Sequence, residues 1–299
     1  MSCIAITGSS GLIGHALTNA LATRGETVRR IIRSSTTRKD VIHWDPVVGE
    51  LDVDSLEHIH ATVHLAGEPI VGRWTAAKKK KIYDSRIKST ALLSSALARM
   101  RHKPPTVLVT ASAIGFYGNR GDQWLDEDSN PGSGFLADTC LAWEQATKAA
   151  LQASIRVVNL RIGVVLSPRG GALRTMLPAF RMGLGGVIGT GRQWVSWISL
   201  DDLIRLILFV IDEDSISGPI NAVAPNPVTN RQLTKAMGRI LHRPTLCAVP
   251  NFALRLAFGS LADETLLASQ RVRSVRLKQT PFKFHHPELP EALQCLLKS

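Results

Sequence analysis

Thr7-Gly8-Ser9-Ser10-Gly11-Leu12-Ile13-Gly14 is the stretch that decides the fold. Before it, Cys3–Thr7 reads as a short apolar strand; after it, Leu12–Arg24 reads as a helix. Glycines spaced GxxGxxG let the backbone turn tightly and bring a helix N-terminus close to a pyrophosphate. Alone, the pattern fits any tight βα turn. With a strand before it, a helix after it and a second strand at Thr27–Arg33, it reads as a dinucleotide-binding turn.

Further along, strands are expected at Val41–Trp44, Thr62–Leu65, Thr106–Ala111 and Ile155–Leu166, with helices at Thr75–Met100 and Phe135–Gln152 between them. Several strands are almost continuously apolar, as in a parallel sheet covered on both faces. The alternation predicts an α/β fold: a Rossmann-type, doubly wound parallel sheet with right-handed crossovers. From about Gly170 the character changes. Gly183-Leu-Gly-Gly-Val-Ile-Gly-Thr-Gly reads as an exposed loop, followed by helices near Leu200–Asp212, Asn230–Leu241 and Phe252–Leu267. This predicts a nucleotide-binding domain over 1–168 and a smaller mixed C-terminal lobe over 169–299, with re-entry into the sheet near 200–223.

Composition limits the alternatives. The 299 residues carry a formal net charge of +12, and the densest basic run, Lys78-Lys79-Lys80-Lys81, falls in a helical segment. Solvated helix surface and attraction for an anionic dinucleotide account for that charge, and no nucleic-acid-binding motif accompanies it. The longest apolar stretch, Leu203–Ile211, is interrupted by Arg205 and is too short to span a bilayer. No leader pattern opens the chain, so a cytoplasmic protein is expected. Cys3, Cys140, Cys247 and Cys295 are scattered, which argues against a disulfide framework or zinc site. The nine histidines show no metal-ligand spacing, and no metal is expected.

The end of the second strand selects the cofactor. Where an acidic residue would grip a ribose hydroxyl, this chain has Arg33-Ser34. A guanidinium fork matches the oxygens of a 2′-phosphate, which favours NADP(H) over NAD; Arg33 also reads as a plain surface charge. At the end of the fourth strand, Leu65-Ala66-Gly67-Glu68 offers small residues where the backbone would pass beside the cofactor.

With these residues in place, the chain resembles the extended short-chain dehydrogenase/reductases. More closely it resembles their atypical epimerase-family branch, NAD-dependent epimerase/dehydratase-like proteins with a C-terminal domain of unknown function. The resemblance rests on Leu65-Ala-Gly-Glu-Pro-Ile, Asp84-Ser85-Arg86-Ile87, Ser112-Ala-Ile-Gly-Phe-Tyr-Gly, Trp143-Glu144, Leu160-Arg-Ile-Gly-Val-Val-Leu and Gly183 through Asp202. It implies a site between the sheet and the C-terminal lobe, a small-molecule substrate and possible oligomerisation. The superfamily dimer packs two long helices, here Thr75–Met100 and Phe135–Gln152, although the lysine run would burden the first. It also implies cofactor contacts from Gly8, Ser9, Ser10, Gly11, Leu12, Ile13, Gly14, Arg33, Ser34, Leu65, Ala66, Gly67, Glu68 and Arg86. Lys81, Ala111, Arg161, Gly163 and Val165 complete the set.

Catalysis departs from the family pattern, which pairs a serine or threonine with Tyr-x-x-x-Lys. Leu136 stands where the tyrosine is expected and Cys140 where the lysine is expected. Ser112 remains as a candidate polarising hydroxyl, and Tyr117 as a substitute acid or a pocket wall. Two functions stay open: an NADP(H)-dependent oxidoreductase or epimerase of unusual mechanism, and a non-catalytic NADP-binding regulator or scaffold. Asp126-Glu127-Asp128 reads as a solvated loop, Asp201 or Asp202 as a helix cap, and the segment from Trp194 to Trp197 as pocket lining or core.

Overall fold

A computed structural model describes residues 2–34, 38, 40–100 and 103–298. Eight strands form the main sheet: β1 (Cys3–Thr7), β2 (Thr27–Ile32), β3 (Val41–Asp45), β4 (Glu50–Leu51), β5 (Ala61–His64), β6 (Val107–Ala113), β7 (Arg156–Ile162) and β8 (Gly218–Ala222). Their spatial order is β8-β7-β6-β5-β1-β2-β3-β4. All pair in parallel except β3 with β4. The order reverses at β1, where chain direction from β1 to β2 runs opposite to that from β1 to β5. Such a switch point opens a crevice at the carboxyl ends of the strands.

Helices cover both faces. On one side α1 (Leu12–Thr23) and α6 (Leu200–Asp212) bury Leu17, Leu21, Leu203 and Ile207 against Ile4, Ile6, Val63 and Val109. On the other, α2 (Ala76–Ala98) and α4 (Lys148–Gln152) bring Leu93, Leu97 and Ala150 onto Ala5, Ile31 and Leu108. The apolar runs of the central strands follow from burial on both faces. Residues 218–222 form the sheet's edge strand on β7, so the chain re-enters the sheet after α6.

Two expected elements are divided. Ile155–Leu166 breaks at Gly163, where a Cβ would lie 2.7 Å from the Ser196 carbonyl oxygen. Beyond it, Val164–Leu166 leaves the main sheet and pairs with Trp197–Ser199. Phe135–Gln152 is two helices, α3 (Phe135–Gln145) and α4, and the Thr147 hydroxyl between them donates to the Glu144 carbonyl.

The lobe is built from α5 (Gly171–Arg181), α7 (Asn230–Leu241), α8 (Asn251–Phe258), α9 (Val275–Lys278) and α10 (Leu289–Lys298). Leu173, Leu177, Phe180, Leu233, Met237 and Leu293 close its core around the fully buried Trp197. The glycine-rich stretch after α5 is not simply an exposed loop. Gly186–Ile188 pairs in parallel with Cys247–Val249, and only a glycine at 186 lets the Cys247 carbonyl come so close. Among the described residues, no helix is long and apolar enough to cross a membrane.

Candidate functional site

The turn from β1 into α1 is built by its glycines. Gly8 has φ +68°, and a Cβ there would stand 2.8 Å from the Leu65 carbonyl carbon. A Cβ on Gly14 would stand 2.2 Å from the Gly8 oxygen. Helix, turn and the end of β5 therefore touch backbone to backbone. Gly11 caps α1 without a side chain and no acid lies in the first turn, so no side chain occupies the leading N–H groups of α1. Such an N-terminus suits a phosphate.

A buried polar chain fixes the opposite wall. The Leu65 and Ala66 amides both donate to the Thr7 hydroxyl, at 3.1 and 3.2 Å. Thr7 Oγ1 lies 2.7 Å from His64 Nδ1, and His64 Nε2 lies 3.1 Å from the Ser89 hydroxyl. Ser89 Oγ in turn donates to the Ser85 carbonyl. Because Thr7 already accepts two amide protons, it donates to Nδ1, and the ring carries its proton on Nε2. Burial pulls the His64 pKa down to about 3, so the ring stays neutral.

Around this cradle the expected residues fall into groups. Ser9 and Ser10 line the turn, while Leu12 packs toward Gly170 and Gly171 and Ile13 against the main core. Arg33 and Ser34 are exposed just past β2, beside the carboxyl end of β1. Gly67 lies against the Arg86 guanidinium, whose carbon would be 3.4 Å from a Cβ there. Arg86 donates to the Glu68 and Ile82 carbonyls and sits 5.0 Å from the Trp143 ring centroid. Burial lowers its pKa from the usual guanidinium range. Glu68 is taken by Lys78 at 2.7 Å, which holds its carboxyl below the ordinary value, and Lys81 is exposed on α2. Val165 is half-buried in its short pair with Ile198.

The end of β6 runs along one face of α3. Ser112 Oγ donates to Glu144 Oε1 at 2.7 Å, and Gly115 touches Leu136 and the Cys140 sulfur. Leu136, Cys140 and Glu144 are spaced by four, so they share that face. Burial pushes the Cys140 thiol up to about 12, with the Glu144 charge adding to it, and the thiol stays protonated. The Leu136 amide donates to Glu264 Oε2 at 2.8 Å, which ties the lobe to the start of α3.

The remaining expected residues are engaged within the protein. Arg161 spends its donors inside the protein. It is buried in a two-pronged pair with Glu144 (2.8 and 2.9 Å) and donates to the Tyr117 hydroxyl and the Glu127 carbonyl. Tyr117 is fully buried rather than presented to substrate. Its hydroxyl donates to Asn221 Oδ1 at 2.7 Å, and burial pushes its pKa up to about 12. Ala111 is a core residue of β6, and Gly163 serves the close approach to Ser196. Glu127 is not solvated: it is buried and accepts from the Asn221 and Val275 amides and the Ser274 hydroxyl. The cap of α6 is Ser199, while Asp202 receives the His285 and His286 amides and Arg205. Asp201, Asp202 and His285 are the one trio of possible metal ligands among the described residues, with Asp202 already engaged by these donors.

The sequence reading missed the buried network itself. Glu144 stood in a motif but had no partner assigned, and Asn221 drew no attention. The available signal was the spacing of four from Leu136 through Cys140 to Glu144.

Comparison with known proteins follows this geometry. Residues 4–222 match the NAD dependent epimerase/dehydratase family, and residues 249–296 match DUF1731, a domain of unknown function. The chain belongs to the NAD-dependent epimerase/dehydratase family. It is 47% identical to the epimerase family protein Mb2239 of Mycobacterium bovis, over 97% of this chain and 96% of that protein. The crystal structure of human epimerase family protein SDR39U1 (isoform 2) with NADPH superposes with a TM-score of 0.91. It is 32% identical and covers 99% of both chains. A nucleoside-diphosphate sugar epimerase from Corynebacterium glutamicum gives a TM-score of 0.82 at 37% identity, over 99% of this chain and 58% of that one. The fold is thus that of the NAD(P)-dependent short-chain dehydrogenase/reductases, and the glycine cradle fits their dinucleotide.

Proposed function

We propose that the protein is an NADP(H)-dependent oxidoreductase or epimerase acting on a small molecule between the sheet and the C-terminal lobe. The observation that carries this reading is the glycine cradle, closed on Leu65–Ala66 and opening onto the uncapped N-terminus of α1. Gly8 to Gly14 would hold the pyrophosphate, and Leu65 to Gly67 would flank the dinucleotide. Arg33 would meet the 2′-phosphate, and the NADPH named in the human relative's structure supports that preference. When bound, the cofactor supplies hydride chemistry at its nicotinamide. Arg86, fixed over Trp143 beside Gly67, puts a positive charge on the cleft side of the cradle. Ser112 is the hydroxyl at the end of β6. Its proton is held by Glu144, so hydrogen bonding to a substrate oxygen requires it to rotate off that carboxylate.

A second reading, a non-catalytic NADP(H)-binding regulator or scaffold, is favoured by the chemistry of α3. Leu136 carries no proton, and the buried Cys140 thiol does not ionise near neutrality. One titration series tests both readings. NADPH should quench or shift the tryptophan emission of the purified chain and bind more tightly than NADH. Arg33→Ala should weaken NADPH binding about tenfold or more while leaving NADH unchanged, as expected for lost charge-assisted hydrogen bonds. Failure to bind either dinucleotide refutes the proposal. Binding without oxidation of NADPH by any member of a carbonyl-compound panel selects the second reading.

A further inference from the structure

Arg271 opens the two-residue strand Arg271–Val272, which pairs in parallel with Trp124–Leu125. Its guanidinium carbon lies 4.0 Å from the Trp124 ring centroid and 4.1 Å from that of Trp194. The cation therefore sits between two indoles, which leaves the in-plane N–H donors at its edge as its remaining means of recognition. Among the described residues, the Arg271 side chain has no ion-pair or hydrogen-bond partner, and its Nε is buried without an acceptor. Trp194 is fixed from behind: its ring N–H donates to Asp122 at 2.7 Å and its amide to Ser269 at 3.0 Å. Arg273 also approaches Trp124, at 5.6 Å, and reaches Asp126 at 3.4 Å, yet its own Nε is buried and unpaired. Buried polar groups without partners are costly and call for an explanation. Here the unmet guanidinium atoms are both donors, so the missing partner is an acceptor.

We propose that Trp124, Trp194, Arg271 and Arg273 form an oxyanion site that grips the phosphate or carboxylate of a small molecule. It shares no residue with the glycine turn. Trp124 is partly exposed, which leaves an approach from solvent. Seven residues before Arg271, the Glu264 carboxylate accepts the Leu136 amide at the start of α3. That the bound anion belongs to the substrate rests on the functional reading above; the site itself does not.

The test titrates the full chain with sodium phosphate, and separately with sodium malonate, at constant ionic strength set by chloride, reading tryptophan emission. A saturable change is expected with at least one anion, and the stronger arm tells phosphate from carboxylate. It should persist at saturating NADPH and in Arg33→Ala, and weaken about tenfold or more in Arg271→Gln, which loses both charge and fork. Arg271→Lys, which keeps the charge, provides the readout if the glutamine variant does not fold; it too should bind more weakly. No saturable change with either anion, an unaltered response in both Arg271 variants, or displacement by NADPH overturns the site. NADPH binding without anion binding would refute this site alone. Anion binding at Arg271 without dinucleotide binding would refute the cofactor reading and leave this site standing.

Discussion

Acidification should destabilise the protein through His64 in particular, by an amount the structure fixes. The ring is fully buried, edge-on to Trp44 at 5.8 Å, and held neutral between Thr7 and Ser89. Burial lowers its pKa to about 3, against about 6.5 for an unperturbed histidine. Between those values the unfolded chain takes up a proton that the folded chain refuses. Stability from this group is therefore complete above about pH 6.5 and is lost progressively as the pH falls toward 3. At pH 5.0 the unfolded histidine is about one and a half pH units past its pKa, which corresponds to about 2 kcal/mol. The assay is urea unfolding at pH 7.5 and 5.0 for the parent and for His64→Gln, whose amide offers a donor and an acceptor but does not titrate. Comparing the two removes contributions from the other histidines. The parent should lose about 2 kcal/mol more than the variant. Equal losses, or an NMR titration showing the ring charging near pH 6 in the folded state, would falsify the reasoning. Leu65 and Ala66 depend on the same Thr7 hydroxyl, and because the folded ring stays neutral over this range, His64 should leave the NADPH affinity of the folded protein unchanged between pH 7.5 and 5.0.

Other consequences can be checked with standard variants. In Gly14→Ala the new Cβ would meet the Gly8 carbonyl at 2.2 Å, a backbone clash. NADPH binding should be lost, with a destabilisation of about 1–3 kcal/mol by thermal or urea unfolding; undiminished binding would mean the turn is not the cradle. Glu144→Gln should cost about 3–5 kcal/mol, because it leaves the Arg161 guanidinium buried without its counter-charge. Glu144→Met combined with Arg161→Met should recover much of that loss, and urea unfolding of the set distinguishes an essential charge pair from a replaceable one. Native thiol labelling should modify Cys247 and Cys295 readily. Cys140 should react only on denaturation, and its fast labelling in the folded chain would contradict its burial.

The cradle was legible because its signals are local. A glycine needed at positive φ, a strand end and a helix start occupy eight consecutive residues, and the bounds of β1, α6 and α7 follow from the same short-range patterning. What escaped depends on partners far apart in the chain. Nothing near Arg161 announces that Glu144 and Tyr117 will consume its donors, and nothing near Glu127 announces that Asn221 and Ser274 will enclose it. The strand expected at Ile155–Leu166 shows the same limit. Both halves are apolar and β-branched, and only the approach of Ser196 makes Gly163 a crossing point rather than a mid-strand residue.

That division bears on the chemistry. Four-residue spacing along α3 puts Leu136 and Cys140 at the positions the family pattern gives to Tyr and Lys, yet here that face is given to packing and, at Glu144, to a buried ion pair. Positive charge beside the cradle comes instead from α2, as Arg86 over Trp143. A guanidinium stays charged near neutral pH; it can hold an oxygen but is too weak an acid to serve as its proton donor. Proton transfer, if the protein performs it, therefore has to use Ser112 once freed from Glu144, the Glu264 carboxylate at the start of α3, or water. Glu264→Gln separates these routes. Its amide oxygen keeps the hydrogen bond from Leu136, so folding should hold within about 1 kcal/mol, the net worth of one such bond. A turnover rate that drops while NADPH affinity stays constant would place the proton on Glu264. An unchanged rate and pH profile would leave it to Ser112 or solvent.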